Sequence, residues 1–138
     1  MRERVGEGER MHLLLNFILN NHFFLALARE DGEPLRRALE TLPPLPVNCQ
    51  WANFIRNHDE LNLDRLEPSE RDEVFARFAP DPAMRIYGRG IRSRLPSRLA
   101  GDRRHLELAY SLLFSLPGSP VIRYGQEIGM GDDLDVPG

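Results

Sequence analysis

Gln50-Trp51-Ala52-Asn53-Phe54-Ile55-Arg56-Asn57-His58-Asp59-Glu60 is the stretch on which the fold turns. Gln50 to Asn57 is aromatic-rich and alternates in part, as a strand does. The second half of the stretch is abruptly polar. A strand that ends in Asn-His-Asp-Glu delivers those four side chains in a direction fixed by the sheet. In a barrel of alternating strands and helices, that end is where active sites are built. Asp59 there could pair with two sugar hydroxyls, and His58 could donate to a third hydroxyl or to developing negative charge. The same four residues also suit a polar loop whose Asn and Asp side chains cap a turn, and the tetrapeptide alone favours that reading.

Outward from this stretch, short apolar runs alternate with helical ones. Upstream, Met11 to Phe17 reads as a buried strand. Asn20 and Asn21 fall where a loop or helix start belongs, His22 to Glu30 reads as helix, and Asp31-Gly32 ends it. Glu33 to Leu42 is a second helix with Pro34 in its first turn. Pro43, Pro44 and Pro46 then form an extended linker. Downstream, a helix is predicted from Pro68 to about Ala79 with Ser69 as its N-cap. An irregular basic segment follows from Asp81 to Gly101. Asp102 to Leu116 is the clearest helix, with Leu106, Ala109, Tyr110, Leu113 and Leu116 on one face. Pro117-Gly118-Ser119-Pro120 breaks the chain, Val121 to Tyr124 is a third strand, and Gly125 to Gly138 is loop. Strands separated by helices predict an α/β domain with a parallel sheet.

Composition narrows the function classes. The 138 residues suffice for one domain, and an apolar share of 41% allows a real core. A net charge of -3 argues against a dedicated nucleic-acid binder. All 18 basic residues are arginines, spread from Arg2 to Arg123. Cys49 is the single cysteine, so no internal disulfide can form and nothing demands an oxidising compartment. Met1 to Arg10 is charged and Gly-containing, unlike a signal peptide, and residues 1–10 are expected to be disordered. Met11 to Ala28 is interrupted by Asn16, Asn20, Asn21 and His22, too polar for a membrane span. A cytoplasmic protein is the expectation. His12, His22 and His105 lack partners at metal-ligand spacing. Asp132, Asp133 and Asp135 lack the pattern of a calcium loop. Arg92, Arg94, Arg98, Arg103 and Arg104 sit among acidic residues, as on a solvated or interdomain face.

Two stretches carry a resemblance. Trp51 to Glu60, with Phe54 and then Asn57-His58-Asp59, is similar to the motif at the seventh barrel strand of the alpha-amylase family (glycoside hydrolase family 13). Leu112 to Met130, with Gly118-Ser119-Pro120, Tyr124-Gly125 and Glu127-Ile128-Gly129-Met130, resembles that family's seventh helix, eighth strand and following loop. Asp81 to Arg85 and Gly90 to Leu95 resemble the trehalose synthase branch. The resemblance covers roughly Met11 to Gly138. It implies the C-terminal part of a (β/α)8 TIM barrel, strands six to eight with their helices, within an enzyme that rearranges alpha-glucosides, most simply maltose to trehalose.

By the same resemblance, Asp59 is the carboxylate that stabilises the oxocarbenium-like transition state, and His58 hydrogen-bonds the bound glucosyl unit. Asn57 holds the motif in shape, and Glu127 is a further substrate-side residue. The family's nucleophile, in a Gly-x-Arg-x-Asp context, and its acid/base Glu have no match; Glu7 and Glu9 are no substitutes. Gln126 stands where the family commonly has an acid. The expectation is therefore a fragment, inactive alone, with no organic cofactor. A calcium ion in the intact enzyme would take its ligands mostly from outside this segment. The expected partners are an alpha-linked glucose disaccharide in the parent enzyme and a complementing half-barrel or a second copy, with no nucleic acid and no membrane. The rival expectation is a non-catalytic sugar-binding or assembly module that keeps the same loops.

Overall fold

The computed structural model describes residues 2–56, 60–99 and 101–131, leaving aside the side chains of Arg2, Glu3, Pro96 and Arg98. Its centre is a three-stranded sheet of β1 (Leu13–Leu15), β2 (Gln50–Phe54) and β6 (Ser119–Val121). The spatial order is β1-β2-β6 and both pairings are parallel. Strand order thus follows chain order, as parallel strands joined by helical crossovers allow. The α/β expectation and its parallel sheet hold.

The first crossover is α2 (Phe17–Arg29) and α3 (Glu33–Thr41). The second holds β3 (Leu61–Asn62), α4 (Pro68–Phe78), a 3-10 turn (Pro82–Met84), β4 (Arg85–Ile86), β5 (Gly90–Ile91), α5 (Leu95–Arg98) and α6 (Arg103–Ser115). Here β3, β5 and β4 form a small antiparallel sheet with β5 in the middle. The basic segment expected to be irregular therefore contains two short strands. A pair of residues is too short to show alternation, so sequence periodicity could not reveal them.

The sheet has two unlike faces. In register, Leu13, Leu15, Phe54 and Val121 share one face, while Leu14, Trp51, Asn53 and Pro120 share the other. The second face is covered along β1 and β2, while Pro120 on β6 is exposed. Leu14 and Cys49 pack with Val5 of α1 (Arg2–Val5), and Ile55 joins the main core of Leu19, Phe23, Phe24, Leu25, Val74, Phe78, Ala109 and Leu113. On the first face Leu13 and Leu15 are 54% and 47% exposed and Val121 is 40% exposed, while Ala52 and Phe54 between them are buried. With only three strands in the sheet, β1 and β6 are both edges. Residues 1–10, expected to be disordered, thus include a helical turn, because Val5 finds an apolar site beside Leu14.

Three boundaries differ from expectation. α2 begins at Phe17, because the Asn16 side chain accepts from the Leu19 amide as its N-cap. Asn20 and Asn21 are therefore inside the helix. α4 is capped by Glu67, not Ser69. Pro68 takes the first helical position, which suits its missing N–H, and Glu67 and Glu70 form a reciprocal capping box. β6 starts at Ser119 and ends at Val121, earlier than the sequence suggested. Gly118 makes this start possible: its φ is +126°, and a Cβ there would lie 2.6 Å from the Trp51 carbonyl oxygen. Pro120, which cannot donate to a ladder, is tolerated on an edge strand.

Arginine pairs tie the outer helices. Arg29 forks onto Glu73 at 2.7 and 2.8 Å, Arg37 reaches Glu70 at 2.7 Å, and Arg77 reaches Glu30 at 3.1 Å. No helix among the described residues is long and apolar enough to cross a membrane.

Candidate functional site

Asn57, His58 and Asp59 lie outside the described residues. What the structure defines is the frame on either side of them. Four buried asparagines build it: Asn16, which reads as an interruption of an apolar run; Asn53, which reads as part of the strand; and Asn20 and Asn21, which read as a loop or helix start.

The first two form a strut across the sheet. Asn16 donates its side-chain N–H to Oδ1 of Asn53 at 3.0 Å, and Asn53 donates in turn to the Pro117 carbonyl at 2.9 Å. The Asn16 backbone N–H donates to the Ala52 carbonyl at 2.9 Å. This chain of bonds runs from the end of β1 through β2 to the approach of β6. A buried amide is costly unless its groups are paired, and here the amide groups of both residues find partners.

The other two hold the ends of the segment that follows β2. Asn20 donates to the carbonyls of Phe54 and Ile55, at 2.8 and 3.0 Å. Asn21 donates to the Asn62 carbonyl at 2.7 Å and accepts from the Arg65 amide at 2.9 Å. Phe17 stacks edge-on against Phe54 with centroids 5.1 Å apart, so the first turn of α2 also packs on the end of β2. Past the gap, Glu60 is close to Arg89 at 4.0 Å, and Arg89 pairs with Asp64 at 3.2 Å. Gly90 is required there, because a Cβ would run into the Glu60 side chain. Asparagine inside an apolar, helical run is a poor helix former whose side chain seeks another partner, but the sequence does not say which one.

Glu127 follows β6 in a turn. It is exposed and lines a groove with Arg103, Leu106, Glu107, Tyr110 and Phe114 of α6. Burial, and next the nearby charge of Glu127, push the Tyr110 hydroxyl above its ordinary pKa. Gln126 is buried and accepts from the Arg123 amide at 2.7 Å, while its own N–H donates to the Arg123 carbonyl at 3.1 Å. The neutral amide thus closes the turn in which Glu127 sits.

The remaining candidates have local explanations. His22 Nδ1 lies 2.9 Å from the Ile18 carbonyl, and His105 Nδ1 lies 3.4 Å from Asp102. His12 is exposed. Arg103 pairs with Glu107, Arg104 pairs with Asp102, and Arg94 lies over the Tyr124 ring. No group of three or more His, Cys, Asp or Glu among the described residues is arranged to hold a metal. Asp132, Asp133 and Asp135 lie outside the described residues.

No family model matches the chain. Curated proteins do. It is 46% identical over 128 residues to the trehalose synthase of Thermus thermophilus, an alignment covering 93% of this chain and 13% of that protein. It is 46% identical over 125 residues to the trehalose synthase/amylase TreS of Mycolicibacterium smegmatis, covering 91% of this chain and 21% of that one. It is 42% identical over 127 residues to the trehalose synthase of a Pimelobacter species, covering 92% and 22%. The chain therefore spans between 13% and 22% of the length of these relatives. Identity at this level, sustained over nine tenths of its residues, places the chain with the trehalose synthases of the alpha-amylase family, as the counterpart of one segment of them.

Proposed function

We propose that this chain is the part of an alpha-glucoside-rearranging enzyme that orients the sugar. It would form strands six to eight of an eight-stranded barrel, with the polar residues after β2 facing the substrate. The observation that carries the reading is the identity to trehalose synthases over nine tenths of the chain. The parallel order β1-β2-β6, open at both edges, supports it.

In the intact enzyme the reaction would be maltose to trehalose by double displacement. A carboxylate displaces the leaving glucose, whose glycosidic oxygen takes a proton from the acid/base. The retained glucose then attacks the glucosyl-enzyme through its anomeric hydroxyl, returning that hydroxyl's proton to the acid/base. Retaining chemistry needs the nucleophile and acid/base about 5 Å apart across the bond. Asp59 supplies neither role; it stabilises the positive charge at the sugar ring. His58 hydrogen-bonds the glucosyl unit, Asn57 shapes the motif, and Glu127 is a further substrate-binding residue. No organic cofactor enters these steps, and a calcium ion in the whole enzyme would be held mostly by residues outside this segment. The setting would be cytoplasmic.

The chain alone is therefore inactive on maltose, trehalose and sucrose. Its open face, with Leu13, Leu15 and Val121 exposed, favours a second element to the proposal, docking onto a complementary half-barrel or onto another copy. Unpaired edge strands and a contiguous apolar surface both drive association. An assay of the pure chain with each disaccharide is expected to give neither glucose nor isomer. Turnover that Asp59→Asn abolishes would overturn the inactivity. Sizing the chain alone and with a family N-terminal half-barrel tests the docking, and a well-protected monomer without any partner would overturn it. The non-catalytic module would instead bind disaccharide while failing to restore activity with any half-barrel.

A further inference from the structure

Four hydrogen bonds leave two adjacent residues of one helix and reach the chain on either side of residues 56–60. Asn20, only 3% exposed, takes the carbonyls of Phe54 and Ile55, where the chain leaves β2. Asn21, 0% exposed, takes the Asn62 carbonyl and the Arg65 amide, where the chain leaves β3. We infer that Asn20 and Asn21 are positioning residues that set the two ends of the segment carrying Asn57, His58 and Asp59. This rests on the reading of that segment as sugar-contacting.

The chemistry of the side chain fits the task. Asn20 spends both amide hydrogens on two successive carbonyls. Asn21 uses its donor and its acceptor on two backbone groups of opposite kind, which an aspartate or a leucine could not do. Neighbouring Cα atoms are a fixed ~3.8 Å apart across a trans peptide. The exit and the return of the segment are therefore referred to one rigid ruler. That ruler is itself fixed, by the Asn16 cap at its start and by Phe24 and Leu25, both fully buried, on the same helix. Residues at the tip of a polar segment gain accuracy only if its two ends do not move relative to one another. Side chains far away in sequence, 34 to 44 positions off, supply that here.

The test uses the 15N-labelled full chain with Asn20→Ala, Asn21→Ala and the control Val74→Ala, a fully buried change on α4 that leaves α2 and its bonds to the segment intact. Backbone order parameters across residues 56–60 are expected to fall by about 0.1 or more in the asparagine variants, relative to those of α6, and to stay unchanged in the control. Titrated with maltose, the asparagine variants are expected to weaken binding at least fivefold while the control leaves it unchanged. A loss of order spread evenly over the molecule, or equal maltose affinity in all variants, would overturn the inference. If Asn20→Ala does not fold, Asn20→Ser, which keeps one donor, replaces it and is expected to fall between native and Asn21→Ala. If the native chain binds no maltose, the sugar reading fails, and the order parameters alone decide the positioning role.

Discussion

The two faces of the central sheet are built from the same strands and are unequally covered, although Ala52 and Phe54 at the middle of the more open face are buried. Leu14, Asn53 and Ile55 point towards helices and are buried; Leu13, Leu15 and Val121 point the other way and are exposed. Side-chain alternation forces one residue in two onto each face, so a strand that is apolar on both sides requires cover on both sides. Near-continuous apolar strands are the mark of parallel sheets enclosed on both faces. Among the described residues, Leu13, Leu15 and Val121 lack such cover on their side. The difference teaches that β1 is apolar on a side where Leu13 and Leu15 find little cover.

Substitutions separate the faces. The largest effect is expected from Phe24→Ala on the covered side. Phe24 is fully buried and meets Phe23 and Phe78 edge-on, and its truncation is expected to cost about 3–5 kcal/mol in chemical denaturation. A loss below about 1 kcal/mol would mean the covered core is loosely packed and the contrast between faces is weaker than drawn. Next is Asn53→Ala, which breaks the strut from Asn16 to Pro117. It leaves buried polar groups unpaired, and about 1–3 kcal/mol is expected by the same measurement.

A smaller effect comes from acid. Burial opposes ionisation of Glu70, but the Arg37 hydrogen bond and the Glu67 amide outweigh it, holding the carboxyl below its ordinary range. A depressed folded-state pKa means that the contribution is fully present above the ordinary glutamate value. It is lost as pH falls through the folded-state value. The denaturation midpoint of the native chain should therefore drop more steeply in acid than that of Arg37→Ala; parallel curves would show that the pair adds nothing. The smallest change in folding stability, within about 0.5 kcal/mol, is expected for Leu13→Ser with Leu15→Ser on the open face. Its signature lies elsewhere, in a lower apparent mass by light scattering. An unchanged mass would show that this face is not the one that associates.

Much of the architecture could be read directly. α3 and α6 stand within a residue of expectation because each has a local start signal, Pro34 in one and the Asn-like cap Asp102 in the other. Asn20 and Asn21 were misplaced because their preference for caps and turns is a local property. The partners that override it, Phe54, Ile55, Asn62 and Arg65, are distant in sequence. Residue preference alone points to Ser69 as a cap, while the side chains of Glu67 and Glu70 make the reciprocal pair. The small sheet was invisible because β3, β4 and β5 have two residues each. For the site, the polar cluster after β2 and the turn around Glu127 stood out by motif. The asparagine frame did not, since a hydrogen bond between elements leaves no period in the sequence.

The pairs that join α2, α3 and α4 all use guanidinium groups, and the chain contains no lysine. Reagents that seek side-chain amines, whether crosslinkers, acylating agents or aldehyde fixatives, will find no side-chain amine to hold. Dicarbonyl compounds that condense with guanidinium will. Because Arg29, Arg37 and Arg77 are also the clasps between helices, such labelling will loosen the layer it reports on. Footprinting this chain by arginine chemistry thus needs short exposures, with the fork of Arg29 on Glu73 protected longer than the solvent-facing Arg103.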